Sequence, residues 1–266
     1  QLLAKGNDLF TGGREYYNHP NYREADKPLI IHQSSATGMQ AVPTTGIAQG
    51  IQYLEKIKSA AQRIGPNQEK PVVICSLGDA SVTEGEVSEA FQFAALHQLP
   101  IIYLVQDNDW GISVSSEEAR TMTAYELIAG FTGIQRKTVD GSDFEASYVA
   151  MQEVIGDVRL HRRPWLVHAT VPLLGHHTSG VRKEFYRSEA DLNKHAANDP
   201  FPKLKQILLQ AGIEAAHLSD IEATATARVK KDFDKAVAAP EPDPATVAQY
   251  VFRSEEHTSE LQSPDL

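Results

Sequence analysis

Of the chain's 266 residues only one is a cysteine, Cys75. That excludes an intramolecular disulfide and a cysteine-based zinc site. Long apolar runs are missing as well, none approaching the roughly 18–20 residues of a membrane span. Positive charge is scarce: 25 Lys and Arg stand against 35 Asp and Glu, a net charge of −10. An acidic surface argues against non-specific nucleic-acid binding, which needs a basic face. No strand end carries a G-x-G-x-x-G or G-x-x-x-x-G-K-[ST] loop, which argues against an ordinary nucleotide-binding domain. No internal repeat or low-complexity tract is visible, and no signal peptide, so a cytoplasmic chain is expected. Gln1 opens in mid-pattern, as though the true start were absent.

What is present is globular: 41% apolar and 8% aromatic residues, enough for one sizeable core with a small appendage. Residues 1–33 mix Gly, Asn, Pro and aromatics without period and read as a long loop. Ile47, Ile51, Leu54, Ile57 and Ala61 recur at helical spacing until Gly65-Pro66 stops the run. "PVVICSL" reads as a buried strand. A helix follows, with Val87, Ala90, Phe91, Ala94 and Ala95 on one face, and "PIIYLVQ" is the next buried strand. After a loop come a short strand, "IQRKTVD", and a helix marked by Phe144, Tyr148, Met151, Ile155 and Val158. "PWLVHATV" is a further strand, and several helices fill 188–250. Strands alternating with helices predict an α/β fold, a mostly parallel sheet with both faces covered. "RSEEHTSELQS" has no fold logic and matches a translated frame of a common sequencing adapter. Arg253–Leu266 is therefore expected to be an assembly artefact rather than a natural polar tail.

Two loops carry the chemistry. "SLGDASVTEGE" follows the first strand and "QDNDWG" ends the second. In an open parallel sheet, ligands bind outside the carboxyl ends of strands, so the two loops can face one crevice. Glycines let a backbone approach a phosphate, and a helix N-terminus offers free N–H groups to an anion. Asp79 supplies a carboxylate and Asn108 an amide oxygen. With phosphate and water oxygens they would suit magnesium, which takes one or two carboxylates. Taken alone, the first loop reads equally well as a turn and helix cap.

"GDA" followed at this distance by "DND" resembles the thiamine-diphosphate motif. The stretch "SLGDASVTEGEVSEAFQFAALHQLPIIYLVQDNDWGIS" resembles the α subunit of the 2-oxo acid dehydrogenase complexes, specifically their first, decarboxylating component, known for branched-chain and pyruvate substrates. The likeness runs from about Ser34 to Arg187 and includes "SSATGMQ" and "GHHTSGVRKEFYR". It implies a thiamine-diphosphate-binding fold over 34–187, and the helices beyond it read as an extension over 188–252. It also implies thiamine diphosphate and Mg2+ as cofactors. Asp79, Asn108 and the Trp110 carbonyl would be metal ligands, and the backbone near Gly78 and Ala80 would meet the diphosphate. Glu84 beside Gly85 is read either as a first-turn acid favoured by the helix dipole or as part of the site. Thr83 is expected to cap that helix. Ser34 or Ser35 is read as an N-cap, and Ser35 and Gln40 lie in a block that lines the cofactor in the family. The chain departs from the motif at Ala80, where a glycine is expected, and at Asp107, where an asparagine is.

In "GHHTS" the resemblance assigns His177, and less firmly His176, to the active centre. Histidine can donate or accept a proton near neutral pH. His168, within its strand, reads as a satisfied core or sheet-end residue. Leu173 stands where the branched-chain enzymes have arginine, and Arg182 is either the replacement cation or a solvated side chain. The resemblance implies partners: a β subunit or fused β-like domain in an α2β2-type assembly, and a lipoyl-bearing acyltransferase. The rival readings are a transketolase-like half and a non-catalytic assembly subunit.

Overall fold

The computed structural model of the chain describes residues 2–8, 11–13, 21–24, 27–31, 34–57, 70–178 and 180–247. Ala61, Gly65-Pro66, Ser179 and the adapter-like tail lie outside them, as does much of the expected N-terminal loop. Two compact units emerge, one within residues 1–35 and 216–266, the other within 36–215. The first unit has a Tyr22–Ile30 bridge and a Gly6 N–H donated to the Pro240 carbonyl. It also holds most of helix α8 (Ala215–Val237). None of the described helices is long and apolar enough to cross a membrane.

The second unit carries the site. It runs α1 (Ala41–Lys56), β1 (Val73–Gly78), α2 (Gly85–His97), β2 (Ile101–Asp107) and a small hairpin, β3 (Trp110–Gly111) with β4 (Val114–Ser115). Short helices α3 (Ser116–Ala119) and α4 (Ala124–Leu127) precede β5 (Gln135–Asp140), α5 (Phe144–His161) and β6 (Trp165–Thr170). Helices α6 (Glu189–Ala196) and α7 (Pro200–Gln210) complete it. Among the described residues the main sheet has four parallel strands in the order β1-β2-β6-β5.

That order explains the layers. The step from β1 to β2 and the step from β5 to β6 run in opposite directions across the sheet. Right-handed crossovers therefore put their helices on opposite faces. Ile101, Tyr103 and Val105 of β2 share a core with Ala90, Phe91 and Ala94 of α2 and with Ala41 and Ala48 of α1. Ile102, between them in sequence, joins Val167, Val154 and Val158 on the α5 face. The apolar face expected of α2 is the buried one, residue for residue. Phe91 meets Tyr103 edge to face at 4.7 Å, and the Tyr103 hydroxyl lies 2.6 Å from Thr45 Oγ1 and donates to the Ala90 carbonyl at 3.1 Å.

Several expectations change. The buried stripe of α5 is Ala150, Val154 and Val158, while Phe144 and Tyr148 are exposed and stack on each other. Strand β1 is not buried on both sides. It lies at one edge of the described sheet, and its burial alternates, leaving Ile74 exposed. Neither Ser34 nor Ser35 caps α1, whose N-cap is Gln40 without a side-chain cap bond. Thr83 does not cap α2 but donates to the Ala80 carbonyl, and the N-cap position falls to Glu84. Helices α6 and α7, expected in an extension from 188, belong to the site unit. Lys203 of α7 donates to the buried Ser142 hydroxyl at 2.8 Å, and His195 of α6 accepts the Leu173 N–H at 2.8 Å.

Candidate active site

Parallel register places Gly78 beside Gln106 at the carboxyl ends of β1 and β2, so the loops that leave those strands are neighbours. The Asn108 N–H faces Asp79 Oδ1 at 3.4 Å, and Asn108 Oδ1 accepts the Trp110 N–H at 3.0 Å. The acid, amide and backbone expected to act together are therefore adjacent. Asp79 opens a single 3-10 turn, Ala80–Thr83, before α2 starts. The leading N–H groups of a helical turn have no intrahelical partner. Ser81 Oγ donates to the Gly78 carbonyl at 2.7 Å and closes the bend.

Glycine is required at two points of close approach. A Cβ on Gly38 would lie 2.9 Å from Glu84 Cβ, and φ there is +82°. A Cβ on Gly111 would lie 2.7 Å from Ala80 Cβ. The first brings the Gly38 end of the "SSATGMQ" block against the start of α2. Gln40 fixes the same block to the sheet by donating to the Ser76 carbonyl at 3.1 Å. Ser35 falls with the other unit. Glu84 and Gly85 are exposed.

The site's electrostatics centre on a residue that sequence reasoning passed over. Arg120 Nη1 donates to Asp79 Oδ2 at 2.8 Å, and its Nη2 donates to Asp107 Oδ1 at 2.7 Å and Oδ2 at 2.9 Å. His168 Nε2 lies 2.8 Å from Asp107 Oδ2. All four side chains are buried, Arg120 the least so at 10% exposed. Burial first, and then the charge of Asp107, push the Asp79 carboxyl above its ordinary value, against the pull of Arg120. Burial also pushes Asp107 up, but hydrogen bonds to His168 and Arg120 outweigh it and hold that carboxyl at about 2. The expected reading of His168 as a satisfied sheet-end residue holds.

Arg120 comes from the segment after "PIIYLVQ" that reads as a loop. Two capping boxes organise that loop: Ser115 with Glu118, and Thr123 with Glu126. Both match the S/T-x-x-E signature, and that signal could have been found beforehand. They start α3 and α4, and Arg120 is the residue at which α3 ends, its backbone extended (φ −148°, ψ 148°).

Two depressions flank the arginine. The wider, about 610 Å³, opens over the ends of β2, β5 and β6, with Asp107, Asp140, His168, Thr170, Lys194 and His195 in its wall. The other, about 440 Å³, includes Asp79, Thr83, Ser88 and Leu127. Arg120 lines both. Neither contains His176 or His177. His177 is exposed on the loop after β6, and His176 Nδ1 accepts the Lys183 N–H at 3.3 Å. Arg182 is a solvated side chain, 3.6 Å from Glu184 and over the Phe185 ring. The loop's far end is firmer. Arg187 donates to Asp191 Oδ2 at 2.5 Å and to the Leu173 carbonyl at 2.9 Å, and its guanidinium lies 5.5 Å from the centre of the Trp110 ring. The histidine loop is thus anchored to the "QDNDWG" loop through Trp110.

Asp79 and Asn108 with the adjacent backbone form a set of hard oxygen donors, the kind magnesium takes with one or two carboxylates. Among the described residues no group of three or more His, Cys, Asp or Glu side chains is gathered for a metal. A divalent ion here would lean on amide, carbonyl and ligand oxygens. The residues present fit such an ion.

A parallel α/β sheet with an acid and an amide in the loops at the ends of adjacent strands places both where such folds bind ligands. Comparison makes the class specific: residues 10–245 match the model of the dehydrogenase E1 component, and the chain belongs to that family. It is 36% identical over 186 residues to the 3-methyl-2-oxobutanoate dehydrogenase subunit alpha of Mycobacterium tuberculosis, covering 68% of this chain and 48% of that protein. It is 29% identical over 196 residues to the mitochondrial 2-oxoisovalerate dehydrogenase subunit alpha of Macaca fascicularis, covering 73% and 43%. The chain thus spans about half the length of these curated relatives. A solved transketolase from Campylobacter jejuni aligns at TM-score 0.45 and 19% identity, over 88% of this chain and 34% of that one.

Proposed function

We propose that this chain is the α subunit, or the α-like half of a fused chain, of a thiamine-diphosphate-dependent 2-oxo acid dehydrogenase, and that it provides the magnesium-diphosphate clamp. The observation that carries the reading is the contact between Asp79 and Asn108 at neighbouring strand ends, within a chain of the dehydrogenase E1 family. Asp79 and Asn108 would hold the ion by side-chain oxygens and Trp110 by its carbonyl. The backbone around Gly78 and Ala80, with Gly85 at the head of α2, would receive the diphosphate. Thiamine diphosphate, when bound, supplies the nucleophilic carbon and the electron sink for loss of carbon dioxide.

The chain's own residues then bind, orient and hold protons. Arg120 and His168 keep Asp107 anionic and fixed. Gln40 and Gly38 hold the upstream block against α2, beside Glu84. His177, exposed on its loop, would meet the substrate where the partner half adjoins this chain, and His176 braces the loop through Lys183. The β subunit or fused β-like half completes the centre in an α2β2-type assembly, and a lipoyl-bearing acyltransferase takes the acyl group.

The test uses the full-length protein with its partner half. Magnesium-dependent thiamine diphosphate binding is measured by calorimetry for the parent, Asp79→Ala and Asn108→Ala. Loss of binding in both variants is expected, and unchanged affinity in both would sink the clamp. A panel of 2-oxo acids with an artificial electron acceptor then assigns the substrate, and His177→Ala should lose turnover while retaining cofactor binding.

A further inference from the structure

We infer that Arg120 is a built-in counter-ion for the metal site, a two-armed residue that stays on Asp107 and exchanges its hold on Asp79 for a divalent cation. The inference rests on the magnesium reading of Asp79 and deepens it.

The geometry divides the guanidinium into an anchor and a releasable arm. Nη2 spans both oxygens of Asp107, at 2.7 and 2.9 Å, while Nη1 alone reaches Asp79, at 2.8 Å. The anchor is the better held. Asp107 is fixed from its other side by His168 at 2.8 Å, and its own Oδ1 also accepts the Asp109 N–H at 3.1 Å. Asp79 has less holding it in that place: the Asn108 N–H at 3.4 Å is its other contact across the loops.

Charge supplies the reason. Two carboxylates, 4% and 6% exposed, lie against one arginine. Buried anions need a cation partner, because desolvation costs several kcal/mol per ion. Without metal, Arg120 is that partner for both. A dication beside Asp79 brings its own charge and repels the guanidinium, so the Nη1 bond is the one that yields. Nη2 can remain on Asp107, which no metal contact needs. The position of Arg120 in the wall of both depressions means that freeing Nη1 alters each of them. Metal occupancy and the order of the α3–α4 loop are thereby coupled, since Arg120 opens the four-residue connection between the two capped helices.

The test is binding of Mn2+ alone, without cofactor, to the full-length protein with its partner half, read by electron paramagnetic resonance. Arg120→Gln removes the competing charge and leaves both carboxylates. Its Mn2+ affinity should rise by roughly 10- to 100-fold, the equilibrium equivalent of one hydrogen bond to a charged group. Its metal-free melting temperature should fall, and saturating Mn2+ should restore more of it than in the parent. Unchanged or weaker Mn2+ binding by Arg120→Gln would overturn the inference. If Arg120→Gln does not fold, Arg120→Lys keeps the charge but not the fork. A single ammonium replaces the two nitrogens that hold Asp107 and Asp79 separately, so its hold on Asp79 is weaker, tighter Mn2+ binding is again expected, and parent-like affinity refutes the exchange. Asp79→Ala is the control for the underlying reading. If it abolishes Mn2+ binding while the Arg120 variants bind like the parent, the metal site stands and the counter-ion role falls. If Asp79→Ala binds Mn2+ like the parent, the metal site itself is wrong and the counter-ion role falls with it.

Discussion

Replacing Gly111 by alanine should damage the site through one contact, with Ala80. The new Cβ would sit 2.7 Å from Ala80 Cβ, closer than two methyl carbons can approach, so one backbone must yield. Gly111 does not have a positive φ, so alanine adds no strain of its own there. It should even stabilise by about 0.4–1 kcal/mol through the unfolded chain. Against that stands overpacking, typically about 1–3 kcal/mol in a well-packed place. The expected net cost is about 1–2 kcal/mol. The displacement would fall between the residue that follows Asp79 and the residue that follows Trp110, so the clamp should loosen with the fold. Ala80→Gly removes the obstructing methyl, at roughly 0.5–1 kcal/mol for a glycine in a helical turn. Urea unfolding of the parent, both single variants and the double variant gives the coupling. The double variant should recover most of the Gly111→Ala loss, a coupling of about 1–2 kcal/mol, within the range for residues in contact. Magnesium-dependent cofactor affinity should follow the same pattern. Additive effects, or a neutral Gly111→Ala, would refute the reasoning.

Two further outcomes follow from the geometry. Ile112 begins the two-residue loop of the β3–β4 hairpin with φ +58°, a conformation that suits glycine and costs a β-branched residue about 1–2 kcal/mol. Ile112→Gly should therefore raise the urea midpoint, and a lower midpoint would mean that Ile112's half-exposed side chain contributes more than its backbone costs. Asp157 is held well below the ordinary carboxylate range by hydrogen bonds from Arg163, Trp165 and His161, against burial. Its contribution is present above its unfolded value, roughly 3.9, and is lost as pH falls through the lower folded value. The parent should lose stability from about pH 4 downward, and Asp157→Asn should start less stable and show a shallower acid limb in pH-dependent melting. Parallel curves for the two proteins would assign the acid limb to other groups.

How much of this was legible depended on whether the signal was local. The α2 face was legible because five residues at helical spacing report burial directly. The Asp79–Asn108 pairing was legible because two strand ends in a parallel sheet must lie side by side. The five residues that marked α5 gave the helix but only part of its inward face: Met151, Ile155 and Val158 pack there, whereas Phe144 and Tyr148 are exposed, packing against Ile102 and Val167 draws in Val154, and Ala150 is buried as well. Arg120 was not legible. It lies 41 residues from Asp79 and 13 from Asp107, in a segment whose helices are four residues each. No periodicity exists over so short a length, and only the two capping boxes mark it.

The two departures from the thiamine-diphosphate motif gain a physical account together. Ala80 adds a methyl where a glycine is expected, and the opposing loop has Gly111 at the point of contact. Asp107 adds a negative charge where an amide is expected, and Arg120 and His168 both bond to it. Had either change been uncompensated, the loops could not approach as they do. The first would force them apart by volume. The second would leave two buried carboxylates repelling each other, a cost of several kcal/mol. Gly111→Ala alone should therefore be worse than Gly111→Ala with Ala80→Gly, and Arg120→Gln alone worse than Arg120→Gln with Asp107→Asn. Asp107→Asn alone strands the Nη2 arm of Arg120 without an anionic partner, whereas Asp107→Asn with Arg120→Gln returns the site to a single carboxylate, Asp79. The double variant should bind Mn2+ through Asp79 and Asn108 and melt no lower than Arg120→Gln alone, which keeps two buried carboxylates without the arginine. A double variant that melts lower than both singles would show that the charges on Asp107 and Arg120 do not balance each other.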